Sequence, residues 1–138
     1  MLLTLLFACG GIDPTSGTYD VTLRTVNADP ACTDPWNVAP PDTDTQDWSV
    51  DVLLSTMTVD GVLFGYLEEE RFTCESLLLA DTALGSVAAT IALTGVFTSD
   101  TSFRGTVATE WTCEGDACPT DPCSVLQAAD GTLAEDPG

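Results

Sequence analysis

Apolar residues along this chain recur at every second position far more often than at the three-and-four spacing of a helix. Tyr19, Val21 and Leu23 alternate with Asp20, Thr22 and Arg24. Trp48, Val50, Val52 and Leu54 alternate with Ser49 and Asp51, although Leu53 breaks the polar face. Asp60-Gly61 sits between Met57-Thr58-Val59 and Val62-Leu63-Phe64, which predicts a tight hairpin, because a type I′ turn needs positive φ at both central residues. Phe72, Cys74, Ser76 and Leu78 predict a further strand. Val87, Ala89, Ile91, Leu93 and Phe97 predict another, with a bulge or bend at Gly95. The most regular stretch is 103–113. Its odd positions hold Phe103, Gly105, Val107, Thr109, Trp111 and Cys113, and its even positions hold Arg104, Thr106, Ala108, Glu110 and Thr112. One face is therefore buried and the other wet, as in an antiparallel sheet packed on one side.

Turn-rich stretches at 27–46, 81–85 and 98–102 separate these runs, and a last short strand is predicted near 124–128. Helix is confined to 76–80 or 125–129, neither of which has convincing caps. The fold class that follows is all-β: a single antiparallel meander of six to eight strands over residues 17–134, closing as a small barrel or a sandwich. Residues 135–138 read as a frayed acidic tail. Trp48, Val50, Val52, Ile91, Leu93, Val107 and Trp111 are the inward candidates, large enough together to fill a small barrel.

Two resemblances add to this reading. The apolar run at 2–7 closes in Leu6-Phe7-Ala8-Cys9-Gly10, with a leucine three residues before a cysteine and a small residue just before it. This resembles the lipobox of bacterial lipoproteins. The resemblance implies that residues 1–8 are a signal peptide, that Cys9 is acylated and that residues 9–16 are a polar tether. The partner so implied is the membrane, reached through the acyl anchor at Cys9. Gly10 after the cysteine resembles lipoproteins passed on to the outer membrane, so the implied location is the bacterial cell envelope. Two or more acyl chains make such attachment stable. No other run approaches the roughly 18–20 apolar residues of a spanning helix, since 83–97 is broken by Gly85, Ser86, Thr90, Thr94 and Gly95. Gly17-Thr18-Tyr19 resembles the G-x-W that opens lipocalin-like barrels, with Tyr19 where tryptophan is usual. It implies an up-and-down barrel and, as an alternative function, carriage of a small apolar ligand.

Charge narrows the chemistry. Asp and Glu number 22 against Arg24, Arg71 and Arg104, with no Lys and no His, giving a net charge of −19. Such a surface repels phosphate backbones, so no nucleic-acid partner is expected. Without His there is no imidazole base or metal ligand, and without Lys there is no Schiff-base or P-loop lysine. Carboxylates alone leave a carboxylate-based hydrolase as a further alternative, but nothing singles out a pair. The expectation is a non-enzymatic protein with no cofactor.

With Cys9 acylated, Cys32, Cys74, Cys113, Cys118 and Cys123 remain, enough for two disulfides and one thiol. The run Cys113-x₄-Cys118-x₄-Cys123 is expected to contribute one local bridge. Cys32 or Cys74 then staples to its remaining member. The odd thiol is either buried and inert or joins a second protein covalently. Zinc prefers paired knuckles, and only one such run exists. Asp42-x-Asp44 opens like a calcium loop, with Asp47 as a third oxygen donor, but there is no Gly at position six and no Glu at position twelve. An EF-hand is excluded, and an irregular calcium site at Asp42, Asp44 and Asp47 is the remaining metal candidate. Trp48 beside this segment is expected in the core, whereas Trp36 is assigned to neither core nor surface. The leading expectation is a lipid-anchored envelope protein with a structural or protein-interaction role and an envelope protein as partner.

Overall fold

The computed structural model describes residues 11–83 and 85–134; residues 1–10, with Cys9 and the signal-like run, and residues 135–138 lie outside that description. The chain forms eight strands: β1 (Gly17–Ala28), β2 (Thr43–Leu53), β3 (Thr56–Val59), β4 (Leu63–Glu68), β5 (Arg71–Asp81), β6 (Ser86–Ser99), β7 (Ser102–Glu114) and β8 (Cys123–Leu133). Each pairs antiparallel with its sequence neighbour, and β8 returns to β1, so the meander closes as a barrel. The hairpin tips at 54–55, 69–70 and 100–101 lie with Gly17 at one end, here the lower end. The starts of β2, β6 and β8 lie at the upper end.

Alternation explains most of the wall. Inward residues of β7 and β8 such as Phe103, Val107, Val125 and Ala129 are buried, and the residues between them face water. Asp60 and Gly61 both have positive φ, at 53° and 70°, as the predicted hairpin requires. The structure departs from the sequence pattern at four places. Residues 76–80 and 125–129 belong to strands β5 and β8, because each is held by a complete ladder to a neighbouring strand. The helix that does form, α1 (Pro30–Thr33), lies in the stretch read as turns, where Pro30 begins it. Gly95 is not a bulge: it pairs regularly with Phe72 and Gly105, and the register shift falls between Phe97 and Ser99. A Cβ at Gly95 would stand 2.6 Å from Cζ of Phe72, so its bareness admits a ring rather than a bend.

Residues 12–16, read from sequence as tether, lie against the lower end. Ile12 packs on the core, and the Asp13 N–H donates to Asp100 Oδ1 at 2.7 Å. The Thr15 N–H donates to the Asp100 carbonyl at 2.8 Å, and the Val52 N–H donates to Ser16 Oγ at 2.8 Å.

Candidate functional site

The interior is a cluster of aromatic rings. Phe103 is its hub, with ring centroids 5.4 Å from Tyr19, 5.9 Å from Trp48, 5.7 Å from Phe72 and 5.8 Å from Phe97. Trp48 stacks on it, while Phe72 and Phe97 meet it edge-on, the geometries that ring quadrupoles favour. Val21, Val50, Met57, Val59 and Leu93 fill the spaces around the rings. Each polar atom carried inward is satisfied: the Tyr19 hydroxyl donates to the Thr15 carbonyl at 2.6 Å, and Trp48 Nε1 donates to Gln46 Oε1 at 2.9 Å. Burial and the nearby Asp100 carboxylate raise the Tyr19 pKa.

A second, smaller core closes the upper end, where Trp36, Val125 and the bridged Cys32 and Cys123 are buried against Trp111 and Val87. Trp36 is thus a plug, with its Nε1 donating to the Asp121 carbonyl at 2.8 Å. Cys32 is bonded to Cys123 across 91 residues of sequence, and Cys113 to Cys118 across five. Cys74 is the free thiol among the described residues, fully buried beneath β3, donating toward the Met57 carbonyl at 3.8 Å. Burial pushes its pKa up to about 11, so it is neither accessible nor ionised at neutral pH.

The acidic candidates are dispersed. Asp44 and Asp47 fall on opposite faces of β2, since side chains alternate across a strand, and Asp42 precedes it. Asp44 instead accepts from the Thr45 N–H at 3.0 Å and from Gln46 Nε2 at 3.1 Å. Among the described residues no group of three His, Cys, Asp or Glu side chains is placed to hold a metal ion. No helix among them is long and apolar enough to cross a membrane. The outer wall itself carries Asp20, Arg24, Asp51, Glu75, Arg104, Glu110 and Asp130, all exposed. A lipid-facing band does not carry charges in mid-strand, so this wall meets water.

What stands out on the surface is apolar. Phe64 and Tyr66 point outward from β4, and Leu77, Leu78 and Leu79 are exposed toward the upper end of β5, Leu79 by 75%. This second group sits at a notch. β3 and β4 are short, and their turn at Asp60 stops partway up the barrel. β3 pairs with β2 only from Val50 to Leu53, and β4 pairs with β5 only as far as Glu75. Above them, no strand lies between Thr43–Ser49 of β2 and Leu77–Asp81 of β5. None of these residues was singled out by sequence reasoning as a site. Their signal was the brevity of the hairpin built on Asp60-Gly61 between two long neighbours.

No protein-family model, curated protein or solved structure matches this chain.

Proposed function

We propose that this protein is a non-enzymatic, lipid-anchored component of the bacterial cell envelope that acts through its outer surface on another envelope protein. The observation that carries the interaction half of this reading is the contrast between the two sides of the wall. Among the described residues five aromatic rings occupy the barrel interior at contact distances, which speaks against a chamber for a small apolar ligand, while Phe64, Tyr66, Leu77 and Leu79 face outward. A carrier would need the reverse arrangement, with a cavity of roughly 300 Å³ or more behind the wall. The composition supports the non-enzymatic half, since neither His nor Lys occurs in the chain. The lipobox-like Leu6-Phe7-Ala8-Cys9 supports the anchor, and disulfides suit an oxidising compartment.

The geometry adds a constraint to an anchored protein. Ile12 is already packed on the lower end, so Cys9 is three residues from the barrel, a reach of at most about 11 Å. An anchored barrel would ride with its lower end against the headgroups and its upper end away from the bilayer. Intact mass of protein from its own membrane fraction tests the reading. A chain beginning at Cys9 with acyl mass added is the expected result, and a soluble chain that retains Met1 would overturn it.

A further inference from the structure

The notch between β2 and β5 has two edges that are treated differently. Backbone direction follows from the cross-strand bonds beside it. The Phe97 N–H donates to the Glu70 carbonyl, so even-numbered residues of β5 bond to β6, and Leu77, Leu79 and Asp81 turn their N–H and C=O groups toward the notch. The Asp60 N–H donates to the Ser49 carbonyl, so Thr43, Thr45 and Asp47 of β2 face it from the other side. The β2 edge is blunted. The Asp44 carboxylate already accepts from the Thr45 N–H, and Asp47 adds a charge. The β5 edge is bare: Leu77-Leu78-Leu79-Ala80 has no charge, no proline and no bulge, and all four are exposed. Proteins that leave an edge open normally guard it with one of those devices, because an unguarded edge recruits a strand.

We infer that the β5 edge at Leu77–Asp81 is a docking site for an extended polypeptide segment with an apolar centre and basic flanks, which adds as a strand in line with β4. This deepens the interaction reading above and is independent of the anchor. Space for a strand follows from the order of the wall, because β3 and β4 stand between β2 and β5 lower down and so hold them three strand spacings, about 14 Å, apart where the short hairpin ends. An added strand would take up the N–H and C=O groups of Leu77 and Leu79 and cover leucines on both faces, Leu78 on one and Leu77 and Leu79 on the other. Charge selects the occupant. Glu75 and Asp81 bracket the edge, Asp60 marks the floor of the notch, and Asp44 and Asp47 stand across it; Arg24, beside Thr43, is the cation on that side. A second copy of this chain would bring another net −19 to the same place, and so is the poorer fit.

The test uses the full chain in solution and a short synthetic peptide with an alternating valine–threonine centre and lysine pairs at both ends. Two further peptides replace the lysines by glutamates or methylate alternate backbone nitrogens. Leu79→Pro removes an N–H that faces the notch and no ladder bond, so the barrel should fold with its edge blocked. Calorimetric titration should show saturable binding to the native chain. Leu79→Pro and backbone methylation should each weaken it about tenfold or more, and the glutamate peptide should bind more weakly still. Should Leu79→Pro fail to fold by circular dichroism, Leu77→Lys, a cation on the same edge, serves in its place and should repel the basic peptide. No binding, or binding indifferent to the edge variants and to methylation, would overturn the assignment. Dimerisation in sedimentation that Leu79→Pro abolishes would give the edge to a second copy and overturn the basic occupant. None of these results depends on acylation, so failure at the notch leaves the mass test of Cys9 standing.

Discussion

Single residues show where this barrel is strained and where it is sealed. Leu54 has φ of 57° at the β2–β3 turn and is 91% exposed. A branched side chain in the left-handed region costs roughly 1–2 kcal/mol, and here no burial offsets it. Leu54→Asn should therefore stabilise the fold by about 1 kcal/mol in urea unfolding, and a loss of stability would mean that Leu54 makes contacts its exposure does not suggest. Gly131 is the opposite case. A Cβ there would lie 2.2 Å from Cε2 of Phe103, whose ring is fixed by four others. Gly131→Ala should cost about 1–3 kcal/mol, or more if the cluster cannot shift. Cys74 sets an alkaline limit. Its folded pKa, about 11, lies above the ordinary value of 9.0, so its contribution is complete below about pH 9 and is lost as pH climbs toward 11. Tyr19, also raised, adds to the same limb. Chemical unfolding between pH 8 and about 11 should show this decline, and Cys74→Val should flatten it. An unchanged slope in Cys74→Val would assign the limb elsewhere.

At the scale of elements, strands with one wet face were legible because period-two patterning is what a barrel wall imposes. Residues 103–113 read correctly from Phe103 to Cys113 for this reason. The notch was not legible, and the cause is physical. At the rim of β5 both faces are apolar, so Leu77-Leu78-Leu79 shows no alternation and reads equally as a helix turn. Nor does a sequence state how far up a neighbour a hairpin will reach; that depends on the register between β4 and β5. The cysteines were legible as a local pair plus a staple, but the choice between Cys32 and Cys74 rested on α1, which carries Cys32 to the start of β8. The two bridges should differ in worth. Closing 91 residues removes more chain entropy than closing five, about 4–5 kcal/mol against about 2. Cys32→Ala/Cys123→Ala should lower stability by roughly twice as much as Cys113→Ala/Cys118→Ala. Equal losses would show that strain or residual structure, rather than loop length, governs them.

For the whole molecule, charge is the dominant long-range term, and its sign can be decided. Attraction has little to offer: the ion pair among the described residues, Arg104 with Asp130 at 3.3 Å, is exposed on both sides and contributes at most about 1 kcal/mol. Repulsion is spread over a chain of net charge −19, most of it on one small barrel, and the compact state concentrates it relative to the unfolded chain. Salt therefore weakens a large unfavourable term and a small favourable one. Raising NaCl from about 0.1 M to about 1 M shortens the Debye length from roughly 10 Å to about 3 Å, so the melting temperature should rise by a few degrees. Screening changes fastest at low salt, whereas general salting-out grows steadily with concentration, so most of the rise should come in the first few tenths molar. A flat or falling curve there would mean that ion pairs stabilise this fold more than Arg104–Asp130 suggests. The same field bears on the notch, because a basic segment arriving at Leu77–Asp81 lowers the barrel's self-repulsion as it binds. Its affinity should fall as salt rises while the stability of the free barrel increases, and these opposed slopes separate steering by charge from simple apolar contact.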